Sequence, residues 1–177
     1  MTAVMAGDRT ALEVLVRRHQ GPLLGFFFRM LDGDRPQAED LVQETFVRIL
    51  RSRTYSPTRS FKPWLYAVAT NLARDHRRSQ RSRPAVPGDE LLARLPDRAP
   101  SPDQRAVAAA ETRRVAEALA QLGDDVRATL ILRYANDLSL ADVAAALDVP
   151  LGTVKSRLNT GTRRLRELLQ PPGEAAP

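Results

Sequence analysis

Residues 138–158 read LSLADVAAALDVPLGTVKSRL, and this stretch decides the fold of the C-terminal half. Ser139, followed three residues later by Asp142, is a capping-box arrangement that predicts the start of a helix. Residues 148–150 end that helix, because proline has no amide hydrogen to donate and disfavours helix in the residue before it. Two helices joined by such a short turn form a helix-turn-helix. The two helices are expected near 140–147 and 151–169.

The second of these helices has an apolar side and a polar side. A step of about 100° per residue places its inward-facing residues on one stripe, which comprises Val154, Leu158, Gly161, Leu165 and Leu168. The outward face holds Gly152, Ser156, Asn159 and Arg163, flanked by Lys155 and Thr160. Short polar and basic side chains fit base edges in the major groove, and the later Arg164 and Arg166 suit phosphates. A solvated surface helix explains the same face, but the capped helix before it favours DNA binding.

The rest of the chain is expected to be helical, with a break in the middle. Five of the 13 prolines fall within residues 80–103, which predicts a linker with a helical turn around Leu91–Leu95. No alternating strand pattern occurs, so the expected fold is all-α. We expect two small helical domains, at 1–80 and 104–170, joined by a linker at 81–103. Further helices are expected near 8–20, 22–31, 35–51, 61–79, 102–122 and 125–135, with a break at Gly21-Pro22.

Helix 35–51 has the clearest pattern of the N-terminal half. Asp34 and Gln37 predict its cap. Its apolar stripe comprises Ala38, Leu41, Val42, Thr45, Phe46, Ile49 and Leu50, and Phe46 is expected in the core. The opposite face carries Asp40, Gln43, Glu44, Val47 and Arg48. Further caps are expected at Ser60, Ser101 and Asp124.

The composition limits the function classes. The 177 residues include no cysteine and two histidines, which argues against thiolate metal sites, zinc chemistry and cysteine nucleophiles. His19 is expected to be structural and His76 to lie at the surface. No P-loop, GxSxG or HExxH motif occurs, so neither an enzyme nor a cofactor is expected. No signal peptide or membrane-spanning stretch is apparent, which favours the cytoplasm.

The positive charge is concentrated in two places. The formal net charge is +6, and basic clusters occupy residues 74–83 and 155–166. The first cluster has five arginines against one acid, and the second has five basic residues against none. Two separated clusters favour two contacts with nucleic acid over a uniformly charged surface.

Three stretches resemble regions of the sigma-70 family of bacterial RNA polymerase sigma factors. VPLGTVKSRL, at 149–158, resembles region 4 of that family. AEDLVQETFVRIL, at 38–50, resembles region 2.2, and FKPWLYAVATNLARDHRRS, at 61–79, resembles region 2.4. With these matches in the family's order, the chain is similar to the extracytoplasmic-function (ECF) group. The resemblance implies promoter recognition for core polymerase, without catalysis or cofactor.

The resemblance also implies roles for individual residues. It implies that Asp40, Gln43 and Glu44 bind a coiled coil of the polymerase β′ subunit. The −10 element would be melted and bound by Tyr55, Asn71, Arg74, Arg77 and Arg78. Trp64 and Tyr66 invite a stacking role with unpaired bases, although Trp64 neighbours the buried stripe. The −35 element would be bound by Thr153, Lys155, Ser156, Arg157, Asn159, Thr160 and Arg163. The implied partners are core RNA polymerase, through the β′ coiled coil and the β flap, and promoter DNA; many members of the group also bind an anti-sigma factor.

The sequence departs from the family after Leu158. The family commonly continues with an aromatic residue or histidine and then Arg-Ala-Arg, whereas this chain has Asn159-Thr160-Gly161-Thr162-Arg163. A basic residue is therefore missing at Thr160, which leaves the preferred −35 sequence open. The alternative function is a helix-turn-helix regulator that binds operators without joining the polymerase. That alternative leaves both N-terminal motifs unexplained, and binding to core polymerase distinguishes the two.

Overall fold

The computed structural model describes residues 1–5, 7–52, 55–58, 60–81 and 113–170. In this part of the chain the regular structure is helical and includes no strand, which confirms the all-α fold. The N-terminal unit comprises α1 (Thr2–Met5), α2 (Arg9–Met30), α3 (Arg35–Arg51) and α4 (Phe61–Arg81). The C-terminal unit comprises α5 (113–120), α6 (Asp124–Leu130), α7 (Leu140–Leu147) and α8 (Leu151–Leu169). Nearly all of the expected linker, with Leu91–Leu95 and Ser101, lies outside the described residues.

Helix α2 corrects the break expected at Gly21-Pro22, because it runs through both residues without interruption. Proline at position 22 removes one amide donor from the helix ladder. The following turns are nevertheless held by tertiary packing, since Leu23, Phe26 and Phe27 are completely buried. Burying side chains of this size stabilises by about 1.5–3 kcal/mol each, which together exceeds the cost of roughly 3 kcal/mol for an internal proline.

Helix α3 begins and ends as expected. The amide of Gln37 donates a 3.0 Å hydrogen bond to the Asp34 carboxylate, which confirms the N-cap. Phe46 and Ile49 lie in the core. Leu50 was expected on the same stripe, but it is 43% exposed and is corrected to a surface position. The buried stripe of α3 therefore ends at Ile49.

The helix-turn-helix is present in the C-terminal unit. Ser139 Oγ accepts the amide hydrogen of Asp142 at 3.1 Å, which confirms the cap of α7. Asp148 ends α7 in a left-handed conformation, with φ of 52°, and α8 begins at Leu151. The cap expected at Asp124 is wrong: Gly123 is the N-cap of α6, and Asp124 is the first helical residue. The Asp124 carboxylate points instead toward arginines of α4.

The two units pack against each other through one continuous apolar core. Helix α4 lies along α7, and the chain after α6 continues as a π-helical turn, Ile131–Ala135, that contacts α2. The core residues that α4 contributes include Leu65, Ala69, Leu72 and Ala73, and those from α7 include Val143, Ala146 and Leu147. The helix expected to read the −10 element is thus also a contact surface for the C-terminal unit.

Candidate nucleic-acid interface

The exposed face of α8 matches the expected recognition face. Val154 and Gly161 are buried, and Leu158, Leu165 and Leu168 are half-buried, so the apolar stripe turns inward. The residues on the opposite side are exposed: Gly152, Lys155, Ser156, Asn159, Thr160 and Arg163. Thr153 is half-buried at the edge of this face. The helix therefore presents short polar and basic groups of the kind that contact base edges.

Arg157 differs from the other expected −35 residues. Its side chain is 20% exposed, and its guanidinium donates a 2.6 Å hydrogen bond to Asp125 Oδ2 on α6. The carboxylate holds the guanidinium against the body of the C-terminal unit. Asp125 therefore occupies one face of an arginine that was expected to meet DNA.

Gly161 allows α8 to approach α6 closely. A Cβ at this position would lie 2.7 Å from Val126 Cγ1 and 2.8 Å from Leu130 Cδ1. The absence of a side chain therefore accounts for a glycine in mid-helix, despite its cost of about 1 kcal/mol relative to alanine. The close contact between α8 and α6 fixes how the exposed face of α8 is oriented relative to the rest of the C-terminal unit.

An aromatic cluster lies where α4 begins. The ring centroid of Tyr55 is 4.9 Å from that of Trp64 and 6.0 Å from that of Phe61. His19 packs edge-on against Phe61, and its pKa is lowered by burial and by the nearby charges of Arg18 and Lys62. The packing of His19 against Phe61 agrees with its expected structural role. Tyr55 and Trp64 remain partly accessible in this cluster.

Tyr66 does not have the accessibility that base stacking requires. Its side chain is 1% exposed, and its hydroxyl accepts a 2.7 Å hydrogen bond from Asn136 Nδ2 of the C-terminal unit. Burial raises the pKa of Tyr66. Asn71, which follows Tyr66 by five residues on α4, is exposed, as a base-contacting amide must be.

The arginines near the end of α4 have carboxylate partners. Arg74 donates to Asp125 at 2.8 Å, and Arg77 donates to Asp32 at 2.8 Å. Arg77 also lies 2.7 Å from Asp124 Oδ1, in an ion pair whose geometry is not that of a hydrogen bond. Arg78 is more open, with 80% of its side chain exposed. Two of the three arginines expected at the −10 element thus face the C-terminal unit.

Arg127 and Asn136 make contacts that no sequence pattern predicts. Arg127 is completely buried and donates to the Met30 carbonyl at 3.0 Å and to Asp32. Burial lowers the pKa of Arg127, and its hydrogen bond and charge interaction with Asp32 oppose that shift. Asn136 donates to the Tyr66 hydroxyl and to the Pro22 carbonyl. Neither residue belongs to a motif, and each partner lies far away in sequence, so no local signal was available.

The face of α3 opposite the core is exposed and polar. Asp40 and Gln43 are exposed, and Glu44 is half-buried and pairs with Arg48 at 2.8 Å. Val47 is 38% exposed on the same side.

Within the described residues, the structure shows no cluster of three or more histidine or acidic groups that could hold a metal ion. In the same part of the chain, no helix is both long enough and apolar enough to cross a bilayer.

Comparison with known protein families identifies both units. Residues 15–83 match the model of sigma-70 region 2, and residues 112–165 match that of sigma-70 region 4. The chain belongs to the ECF group of the sigma-70 family. This sigma factor is 35% identical over 175 residues to the ECF sigma factor SigL of Mycobacterium tuberculosis, a match that covers 98% of this chain and 97% of SigL. It is 36% identical over 169 residues to SigE of Mycolicibacterium smegmatis, covering 92% of this chain and 64% of SigE.

Two solved structures share the fold. The sigma factor RpoE of Bartonella quintana, in complex with the anti-sigma factor NepR, has a TM-score of 0.71 at 26% identity. That match covers 90% of this chain and 96% of RpoE. CnrH, in complex with the cytosolic domain of CnrY, has a TM-score of 0.72 at 25% identity, covering 95% of this chain and 93% of CnrH. The sigma factor is accordingly a transcription initiation factor that directs RNA polymerase to promoters.

Proposed function

We propose that this sigma factor binds core RNA polymerase through the exposed face of α3 and reads promoter DNA with α4 and α8. The observation that carries the proposal is the polar surface formed by Asp40, Gln43 and Glu44. These side chains lie opposite the buried stripe of α3 and are not part of the core. An operator-binding regulator has no need of such a surface, whereas carboxylates and amides suit a basic helical partner such as the β′ coiled coil.

The two DNA elements are assigned to the two units. In α8, Lys155, Ser156, Asn159, Thr160 and Arg163 share the exposed face, with Thr153 at its edge. These residues, together with Arg157, are proposed to read the −35 element. The residues proposed for the melted −10 element are Tyr55, Asn71, Arg74, Arg77 and Arg78. Asn71 supplies the amide for a base edge, the Tyr55 ring can stack, and the arginines suit phosphates.

We further propose the domain limits and the cellular setting. Residues 1–80 act as the polymerase and −10 unit, residues 104–170 act as the −35 unit, and residues 81–103 connect them. The sigma factor contributes specificity and no catalytic step. It works in the cytoplasm, where the polymerase and the promoters are. The C-terminal unit also contacts the β flap, and an anti-sigma factor is a further partner, as in the complex of RpoE with NepR.

Charge reversal at Asp40 tests the polymerase interface. Asp40→Arg should weaken binding to core polymerase about tenfold or more, because it opposes charge at a partly desolvated contact. Glu13→Arg is the matched control, since Glu13 is exposed and lies on α2 instead of α3. Affinity for core polymerase is measured by fluorescence anisotropy, and transcription by adding core enzyme to a promoter library. If Asp40→Arg and Glu13→Arg both bind core polymerase as tightly as the parent does, the interface lies elsewhere. If the parent adds no promoter-dependent transcription to that of core enzyme alone, the proposed function is rejected.

A further inference from the structure

We propose that Asp125 is a positioning residue for promoter reading: its carboxylate holds Arg157 against α6 and so sets the angle at which α8 enters the major groove. This inference rests on the proposed reading of the −35 element by α8. It specifies the part that Arg157 takes, which is to support the recognition helix from its packed side. Asp125 itself touches no base, so it sets sequence preference from outside the surface that meets DNA.

Arg157 points away from the recognition face of α8. With a step of about 100° per residue, Arg157 lies about 60° from the inward direction set by the buried Val154. It lies about 100° or more from Ser156, Asn159 and Arg163, which are exposed. The side chain of Arg157 is only 20% exposed. The helical period and the burial together place Arg157 beside the packed side of α8.

Neither terminal nitrogen of the Arg157 guanidinium is available to a base. Nη2 donates a 2.6 Å hydrogen bond to Asp125 Oδ2. Nη1 is buried and makes no hydrogen bond with a described residue. An arginine that reads a guanine places two donors of its fork on one base edge. Arg157 cannot offer that pair of donors while Asp125 holds it, so its effect on DNA reading passes through the position of α8.

The contact between Arg157 and Asp125 is one of two adjacent contact points between α8 and α6. Gly161 follows Arg157 by one helical turn, and a Cβ at Gly161 would lie 2.7 Å from Val126 Cγ1. Asp125 and Val126 are neighbours at the start of α6. A single contact point would leave α8 free to tilt about it, whereas two points one turn apart fix the tilt. The ion pair therefore orients the exposed face of α8 together with the glycine contact.

A ratio between promoters separates positioning from two other effects of Asp125. Its negative charge repels DNA phosphates of every sequence alike. Its other oxygen, Oδ1, accepts a 2.8 Å hydrogen bond from Arg74 of α4, whereas the contact with Arg157 stays within the C-terminal unit. Both effects act equally on promoters that share one −10 element. A change in the preference among −35 sequences therefore reports the position of α8.

The test compares Asp125→Ala, Arg157→Ala and the variant that combines both, each in the full-length chain. Asp124→Ala is the matched control, because it removes the same charge from the neighbouring residue of α6. The ion pairs of Asp124 run to Arg77 and Arg81 of α4 and not to α8. Each protein is added to core polymerase on a promoter library with a randomised −35 element and a constant −10 element. The measurement is the ratio of transcripts from the preferred −35 sequence to those from its single-base variants.

We expect Asp125→Ala and Arg157→Ala each to lower this ratio about fivefold, as the loss of one base contact would. The combined variant should match either single variant, because all three remove the same contact. Asp124→Ala should keep the ratio of the parent. A protein in which Arg157 reads bases directly would respond to Arg157→Ala alone. A purely structural ion pair would lower Tm, followed by circular dichroism, at an unchanged ratio.

The proposal is overturned if Asp125→Ala keeps the parent ratio, or if Asp124→Ala lowers it equally. It is also overturned if the combined variant shows the product of the two single effects. If Asp125→Ala does not fold, Asp125→Asn decides, since it keeps the size of the side chain and removes the charge; it should lower the ratio at least about twofold. Failure of the proposed function appears separately, as absent promoter-dependent transcription with the parent protein.

Discussion

Gly161→Ala should destabilise the C-terminal unit, although alanine is the better helix former. The added methyl carbon would lie 2.7 Å from Val126 and 2.8 Å from Leu130, against an optimal carbon separation of about 3.5–4.0 Å. Forcing a carbon into a packed core costs roughly 1–3 kcal/mol, and the gain in helix propensity returns about 1 kcal/mol. The net loss is about 1 kcal/mol, which corresponds to a fall of roughly 2–4 °C in Tm.

Gly152→Ala is the matched control for this prediction, since it adds the same atom to the same helix. No atom lies within 4 Å of a Cβ at Gly152, so alanine there should leave Tm unchanged or raise it slightly. Thermal unfolding followed by circular dichroism compares the two variants with the parent. If Gly161→Ala melts at or above the parent temperature, the close approach of α8 to α6 is wrong.

Three further predictions concern the proposed interfaces. Glu44→Arg should weaken core polymerase binding as Asp40→Arg does, with the far-ultraviolet spectrum unchanged; affinity equal to that of the parent would remove Glu44 from the interface. Asn71→Ala should reduce promoter melting in permanganate footprinting more than it reduces polymerase binding, because an edge contact to a flipped base is lost; unchanged melting would exclude Asn71. Lys155→Ala should change the preferred −35 sequence at a cost of about 1–3 kcal/mol, whereas Arg166→Ala should weaken all sequences alike and lower the salt slope by about one unit. A promoter-library selection at two salt concentrations checks this last pair, and the opposite pattern would reverse the assignment of the α8 face.

The features that the sequence predicts well are those set by neighbouring residues. The caps at Asp34 and Ser139 depend on side chains that bond an amide three residues away, so a short window contains all the information. The faces of α8 follow from its helical period, and Val154 is buried as that period requires. The resemblance to sigma regions is local in the same sense, because each motif lies within one or two helices.

The features that the sequence does not predict depend on distant residues. The helix continues through Pro22 because Leu23 and Phe26 are buried by parts of the chain that a local window does not contain. Leu50 follows the apolar period but lies where no helix covers it. Asp124 has the chemistry of an N-cap, yet its partners are arginines more than forty residues earlier. In each case tertiary contacts override the local preference.

The arginines of α4 show why residue type alone cannot assign a partner. Arg74 and Arg77 were assigned to phosphates because a basic cluster on a helix suits a polyanion. The structure instead pairs Arg74 with Asp125 through a hydrogen bond, and Arg77 with Asp32 through a hydrogen bond and with Asp124 through an ion pair. The assignment of these two arginines to DNA therefore requires that their carboxylate partners be displaced. For Arg77 the partners to be displaced include Asp32 and the Met30 carbonyl of its own N-terminal unit, so a basic residue type does not by itself identify a DNA contact.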